Sequence, residues 1–133
     1  MSRRSARKNA FFLLFQMDFN EAAEFEQVKE IFFAEKEEPV EEGDKAFILS
    51  EVEGTREHMA EIDALIEQSA KGWDPERMNN VDLAILRLAV YEMKWGATPV
   101  GVAIPEAVEL AKKFSSDEAP AFINGVLGKA AQI

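Results

Sequence analysis

The 133-residue chain contains no cysteine, which excludes disulfides, thiolate metal sites and a thiol nucleophile. It contains one histidine, His58, which we interpret as a surface residue of an acidic helix because a single imidazole does not make a metal site. The seven glycines are scattered, so no phosphate-binding loop or dinucleotide motif can form. The carboxylates match no metal-binding loop. We therefore expect no catalysis, no metal and no cofactor.

Long apolar segments are also missing. The densest one, "FFLLF" at residues 11–15, is far shorter than the roughly 18 residues that a membrane-spanning helix needs. The N-terminus has no apolar segment followed by a small-residue cleavage site, the pattern of a secretory signal. Apolar residues make up 47% of the chain, enough for one core. These features predict a single globular domain, residues 1–133, in the cytoplasm.

Charges of opposite sign are separated along the sequence. Residues 1–17 hold four basic residues and no acidic one. Residues 18–67 hold 17 acidic and 4 basic residues, and residues 68–133 hold 8 acidic and 7 basic residues. The formal net charge of -10 therefore combines a basic start with a strongly acidic middle. We expect these two segments to lie on different faces of the molecule.

Apolar residues recur every three or four positions along most of the chain, which predicts helices. The first helix should run from about Ser5 to Phe19, and a second should start after Asn20. A long third helix should start at Asp44, with Gly54 as a possible bend or break. An acidic loop at residues 35–44 separates the second helix from the third.

Helices also fill the second half of the predicted fold. Asp74 and Pro75 form a helix-start signal that opens a short turn. The segment "NNVDLAILRLAVYEMKW" is the most apolar of the predicted helices, so we expect it to be the central buried helix. A sixth helix should begin near Pro105 and the last near Ser116. The sequence therefore predicts an all-α fold of about seven helices.

The segment "FINGVL" allows two interpretations. Asn124 and Gly125 stand between apolar pairs, a strong local signal for a β-hairpin. A two-stranded ribbon, however, needs a sheet to join, and no other segment of the chain alternates convincingly. We interpret the segment as helix, with the hairpin as the alternative.

The first helix begins with four basic residues. Cations at a helix N-terminus oppose the helix dipole, whereas an anionic ligand there would be stabilised by the free amides and by arginine's bidentate geometry. A phosphate site, and hence nucleic acid, is one interpretation, and a frayed solvated tail is the other. The cations involved are Arg3, Arg4, Arg7 and Lys8.

The same helix carries five consecutive apolar residues, Phe11–Phe15, which cover its whole circumference. Either the helix runs through the middle of the domain, or an aromatic such as Phe12 or Phe15 stays on the surface for a partner protein.

Four sequence blocks resemble the NusB family of bacterial transcription antitermination factors. They are "RRSARKNAFFLLFQMDF", "VDLAILRLAVYEM", "VAIPEAVELAKKF" and "FINGVLGKAA", and they occur in the family's order across nearly the whole chain. The resemblance implies an all-helical fold of about seven helices in two packed subdomains. It also implies a function: pairing with NusE, a small-subunit ribosomal protein, and binding of single-stranded boxA RNA within the RNA polymerase antitermination complex.

The resemblance assigns roles to individual residues. The RNA-binding positions that it implies are Arg3, Arg4, Arg7, Lys8, Phe122, Asn124 and Lys129. The NusE-facing positions that it implies are Phe15, Asp82 and Glu118. We expect the cations to lie where the first helix meets the last one. For Phe122, stacking on a base and ordinary core packing both remain open, and for Arg87 and Glu92 a structural ion pair remains open.

Three positions depart from the family pattern: Pro105, Ala121 and Gly128. Pro105 should restart the sixth helix, and the missing cation at Ala121, together with the net charge, should weaken RNA binding by the protein alone. Two alternative functions remain. One is an accessory module like the N-terminal domain of ribosomal RNA cytosine methyltransferases, and the other is a protein-binding helical homodimer.

Overall fold

The computed structural model describes residues 1–71 and 78–133. Within these residues every regular element is helical, and the helix-start signal at Asp74 and Pro75 lies outside them. A short 3₁₀ turn, Ala22–Glu24, precedes the second helix. The helices are α1 (Arg3–Met17), α2 (Phe25–Ala34), α3 (Glu42–Glu57), α4 (Met59–Ser69), α5 (Asn80–Lys94), α6 (Val100–Phe114) and α7 (Ala119–Ala130). The all-α prediction is therefore confirmed.

Helix α5 is the centre of the molecule. It packs against α1 and α3 on one side and against α4, α6 and α7 on the other. Its residues Leu83–Leu86 and Leu88–Val90 are buried, because almost every position on its circumference is apolar. One group of packed helices is α1–α3, the other is α4–α7, and α5 joins them, as expected for two packed subdomains. The buried residues of both groups form one continuous core.

Helix α1 lies deep in the first group. Phe11, Leu13 and Leu14 are buried, whereas Phe12 and Phe15 are half-buried. Both interpretations of the apolar run are therefore partly right, since the helix runs through the core and keeps two aromatic rings at its edge.

Several helix ends differ from prediction. Helix α1 begins at Arg3, because the Ser2 hydroxyl accepts a hydrogen bond from the amide of Ser5 at 3.0 Å. The long third helix breaks at His58 and not at Gly54. The expected start of the last helix near Ser116 is three residues early, since α7 begins at Ala119.

The prediction that Pro105 restarts the sixth helix is wrong. Helix α6 begins at Val100 after Pro99, and Pro105 lies inside it. A proline in this position leaves the carbonyl of residue 101 without its amide partner. Because Gly101 and Pro105 are both exposed, solvent can satisfy that carbonyl.

The segment "FINGVL" is helical, as interpreted, and lies within α7. Ile123, Val126 and Leu127 are buried, whereas Asn124 and Gly125 are exposed. The burial of this apolar stripe against α4, α5 and α6 outweighs the local turn signal. None of the described helices is long and apolar enough to cross a membrane.

Candidate nucleic-acid interface

The basic start of the chain is ordered as the first two turns of α1. Arg3 and Arg4 are exposed, and Lys8 is half-buried. The guanidinium of Arg3 lies over the ring of Phe47 on α3, 3.9 Å from its centroid. This cation–π contact holds the arginine at the surface without neutralising its charge. The frayed-tail interpretation is therefore wrong for these residues.

Arg7 does not belong to the exposed set. Its side chain is 8% exposed, and its Nε donates to both carboxylate oxygens of Glu92 at 3.0 and 2.9 Å. The hydroxyl of Thr98 also donates to Glu92, at 2.8 Å. Arg7 is thus a structural residue that ties α1 to α5, and its burial does not favour the RNA contact that the resemblance implies for it. A buried ion pair of this kind is costly to break.

A second carboxyl group, Glu51 on α3, completes this buried cluster. Burial, together with the nearby charge of Glu92 and a hydrogen bond to it, raises the pKa of Glu51 to about 8, although Arg7 and Arg3 oppose the shift. A pKa of about 8 favours the protonated form of Glu51 at neutral pH, and that form can donate a hydrogen bond to Glu92. The charges of Arg7 and Glu92 balance each other in this buried cluster, which links α1, α3 and α5.

Arg4 is paired at the surface. Its Nε and Nη2 donate to the carboxylate of Glu106 on α6 at 3.1 to 3.2 Å. Lys8 and Lys113 line the same small cleft between α1 and α6. Arg4 and Lys8 therefore lie where the first helix meets the sixth and not the last, whereas Arg3 lies against α3, which corrects the expected position of these cations.

The C-terminal candidates lie on α7. Asn124 and Lys129 are exposed, and Phe122 is half-buried. Phe122 and Lys129 share a shallow cavity of about 270 Å³ with Ser69 and Lys71 at the end of α4. The structure thus places the RNA-binding candidates in two clusters, one on the first two turns of α1 and one on α7.

The partner-facing candidates differ in burial. Asp82 and Glu118 line a cavity of about 390 Å³ together with Phe122 and Ser116. Asp82, however, is 7% exposed and accepts hydrogen bonds from the side chains of Asn79 and Ser115. Its carboxylate organises the start of α5, so direct contact with a partner through Asp82 does not fit this geometry. Glu118 is exposed and has no such role.

Phe15 lies in the last turn of α1. Its half-buried ring meets the ring of Phe19 edge-on, with centroids 5.1 Å apart. Phe19 itself is 61% exposed. The aromatic surface at this end of the helix is therefore a pair of rings, and the more accessible one belongs to Phe19.

Two further expectations have mixed outcomes. Arg87 and Glu92 both form ion pairs, but not with each other. Two nitrogens of Arg87 donate to the carboxylate of Asp63 at 2.8 Å, and Arg87 also lies 3.5 Å from Asp18. His58 is not a simple surface residue. It ends α3 and stacks on Trp95, with ring centroids 4.5 Å apart. No group of three acidic or histidine residues within the described ranges could hold a metal ion.

Three residues near the RNA-binding and partner-facing candidates were not indicated by the sequence. Lys113 shares the cleft of Arg4 and Lys8. Lys36 is close enough to Lys8 that the charge of Lys8, added to burial, lowers its pKa. Phe19 was placed at a helix end, although α1 ends at Met17. The four-residue spacing of Phe15 and Phe19 could have indicated the aromatic pair, but the two lysines are brought in by tertiary contacts that no local pattern reports.

Comparison with known proteins gives one consistent family. The NusB family model matches residues 4–132. The chain is 46% identical over 130 residues to the transcription antitermination protein NusB of Agathobacter rectalis, covering 97% of this chain and 98% of that protein.

Two solved structures extend the comparison. A T. maritima NusB structure is 31% identical, with a TM-score of 0.85, and the alignment covers 99% of this chain and 92% of that one. A chain in a crystal structure of the antitermination factors NusB and NusE in complex with double-stranded RNA is 27% identical, with a TM-score of 0.81 and coverage of 98% and 96%.

Proposed function

The chain belongs to the NusB family, and from this premise we propose that it is a transcription antitermination factor that binds RNA together with NusE. The observation that carries the proposal is the family match over residues 4–132. It is supported by the similarity of the whole fold to a chain crystallised with NusE and RNA. The A. rectalis relative, which this chain covers almost completely, bears the antitermination name, and this favours the proposal over an accessory methyltransferase module or a protein-binding homodimer.

The RNA that we propose is the single-stranded boxA element, bound across the two basic clusters. Exposed or half-buried side chains of both clusters suit this role, since cations neutralise phosphates and an aromatic ring can stack on a base. The proposed contacts are Arg3, Arg4, Lys8, Phe122, Asn124 and Lys129. Arg7 supports them indirectly, because it fixes the helix that carries the first three.

The NusE surface that we propose includes Phe15, its neighbour Phe19, and Glu118. Exposed carboxylates suit a basic ribosomal protein by charge complementarity. We place the complex in the cytoplasm, within the RNA polymerase antitermination assembly, and assign no catalytic step to the chain.

The proposal is tested by removing the two cations of α1 that make no ion pair among the described residues. The double variant Arg3→Gln, Lys8→Gln should bind a boxA oligonucleotide in the presence of NusE more weakly than the wild-type protein. The slope of log affinity against log salt should fall by about 1.4, since each single-strand phosphate contact contributes about 0.7. Fluorescence anisotropy at several salt concentrations measures both quantities.

A matched control removes two cations elsewhere, through Lys45→Gln and Lys94→Gln, and should leave the slope unchanged. Both double variants should still co-elute with NusE. Failure of the wild-type protein to co-elute with NusE, or to bind the RNA in its presence, contradicts the proposed function.

A further inference from the structure

The contact between Arg4 and Glu106 joins a candidate RNA ligand to a carboxylate of the same chain. Three hydrogen bonds of 3.1 to 3.2 Å connect them. These bonds come from the Nε and Nη2 edge of the guanidinium. The same edge can donate to two oxygens of a phosphate. The carboxylate of Glu106 therefore occupies a position that a phosphate group could take.

The two partners differ in exposure. The side chain of Arg4 is 65% exposed, whereas that of Glu106 is only 16% exposed. The carboxylate is consequently held by the body of α6, and the guanidinium reaches over it from the first turn of α1. If Arg4 turns away to bind another anion, Glu106 keeps its charge in a half-buried position without its bidentate partner, which is unfavourable.

The surroundings of this pair provide additional positive charge. Lys8 and Lys113 line the same cleft, and neither forms an ion pair within the part of the chain that the structure describes. Glu109, one turn along α6, also lines the cleft, and its carboxylate binds Lys112 at 3.3 Å. Without Glu106, the cleft would present Arg4, Lys8 and Lys113 to solvent with one nearby acid.

We propose that the α1–α6 cleft of Arg4, Lys8 and Lys113 is a phosphodiester site, and that the carboxylate of Glu106 competes with the RNA phosphate for Arg4. This inference rests on the proposed RNA-binding function. RNA reaches its full contact with Arg4 only by displacing Glu106 or by sharing the guanidinium with it. Glu106 therefore lowers the affinity of the free protein for RNA, and Lys113 is an RNA contact that the sequence did not indicate.

The variant Glu106→Gln tests the competition because it keeps the size of the side chain and removes its charge. It should bind a boxA oligonucleotide about 5-fold more tightly than the wild-type protein, the effect expected for one exposed ion pair. The salt slope should increase by about 0.7, corresponding to one more phosphate contact. An oligouridine probe should show the same gain, because phosphate contacts carry no sequence information.

A double-mutant cycle separates this local effect from a change of net charge. In an Arg4→Gln background, Glu106→Gln should give no gain, because the group for which it competes is absent. The control Glu30→Gln removes one exposed acid from α2 and should change affinity much less. Lys113→Gln should weaken binding and reduce the slope by about 0.7.

Thermal unfolding and NusE co-elution establish that each variant is folded. Equal affinities of Glu106→Gln and the wild-type protein, or an equal gain in the Arg4→Gln background, would overturn the competition. An unchanged slope in Lys113→Gln would overturn the assignment of that residue. If neither the wild-type protein nor any variant binds RNA in the presence of NusE, the proposed function itself fails. That outcome is distinct from a failure of the competition alone.

Discussion

At the scale of single residues, the buried cluster of Arg7, Glu51 and Glu92 shows how a basic sequence motif is divided between function and structure. Arg7 has the same residue type as its exposed neighbours, yet its charge is used inside the molecule. Two acidic side chains surround it, one of which, Glu51, keeps a proton because burial and the charge of Glu92 raise its pKa to about 8. The stability of the fold should therefore depend on pH in a specific direction.

We predict that Glu51→Gln is more stable than the wild-type protein at pH 9 and similar to it at pH 5. In the folded state the pKa of Glu51 is raised from 4.5 to about 8. Between these pH values the folded protein keeps a proton on Glu51 that the unfolded chain loses. The stabilisation is complete below about pH 4.5 and is lost as the pH rises through about 8. Glutamine keeps the donor to Glu92 at every pH.

Thermal unfolding between pH 5 and pH 9 measures this difference. Tyr91, whose pKa burial raises above its usual value of 10, stays neutral in that range. The exposed Glu57 on the same helix provides the control, and Glu57→Gln should follow the wild-type pH dependence. Parallel curves for Glu51→Gln and the wild-type protein would show that Glu51 is ionised in the folded state.

At the scale of the helices, the close approach of α3 to α5 depends on one glycine. A Cβ atom at Gly54 would lie 2.3 to 2.4 Å from two ring carbons and the phenolic oxygen of Tyr91, distances that require the Tyr91 side chain to move. The sequence indicated Gly54 as a bend or break in the long third helix. In the structure Gly54 is instead a contact point between α3 and α5.

We predict that Gly54→Ala destabilises the protein by about 1–3 kcal/mol, because overpacking at this contact outweighs the gain in helix propensity. Chemical denaturation measures the change. Gly128→Ala is the matched control: nothing lies within 4 Å of a Cβ there, and removing a helical glycine should stabilise the protein by up to about 1 kcal/mol. Stabilisation of both variants would contradict the steric role of Gly54.

Helix positions were largely predictable from the sequence, whereas helix ends were not. The apolar spacing located α1, α2, α5, α6 and α7, with α5 as the central one, and covered α3 and α4 with one long segment. The errors occur where a local signal competes with tertiary packing. Pro105 is a helix-start residue by local rules, but the apolar stripe of Ala103, Ala107 and Leu110 is buried and carries the helix through it. The local turn signal of the Asn124–Gly125 pair is overridden for the same reason, as the helical interpretation of that segment expected.

At the scale of the whole molecule, the candidate site was predictable in part. The basic start and the family resemblance indicated which residue types to examine. The pairing of Arg7 with Glu92, 85 positions away, and of Arg4 with Glu106, 102 positions away, could not be read from any local pattern. The sequence therefore indicated a cluster of four cations, and the fold leaves Arg3 and Lys8 without an acidic partner among the described residues.

The separation of charge along the chain also has a consequence at this scale. The loop between α2 and α3 carries exposed acids, Glu35, Glu37, Glu38 and Glu41. Their combined field should slow the approach of RNA and favour a basic protein.

We predict that replacing these four glutamates by glutamine strengthens RNA binding at low salt and that the gain disappears near 0.15 M salt, where the screening length is about 8 Å. Association rates from stopped-flow fluorescence at both salt concentrations measure the effect. NusE should associate more slowly with the variant at low salt. A gain that persists at 0.15 M salt would indicate a direct contact of the loop with RNA.

The bond between Arg7 and Glu92 fixes the rotation of α1 about its own axis. Each residue advances a helix by about 100°, so inserting or deleting one residue between Arg4 and Arg7 would swing Arg3 and Arg4 around the helix by that angle while Arg7 stayed in place. Arg3 would then leave Phe47, and Arg4 would leave the α6 cleft. The number of residues in this short segment is therefore constrained as strictly as their charge, and natural variation here should consist of substitutions and not of changes in length.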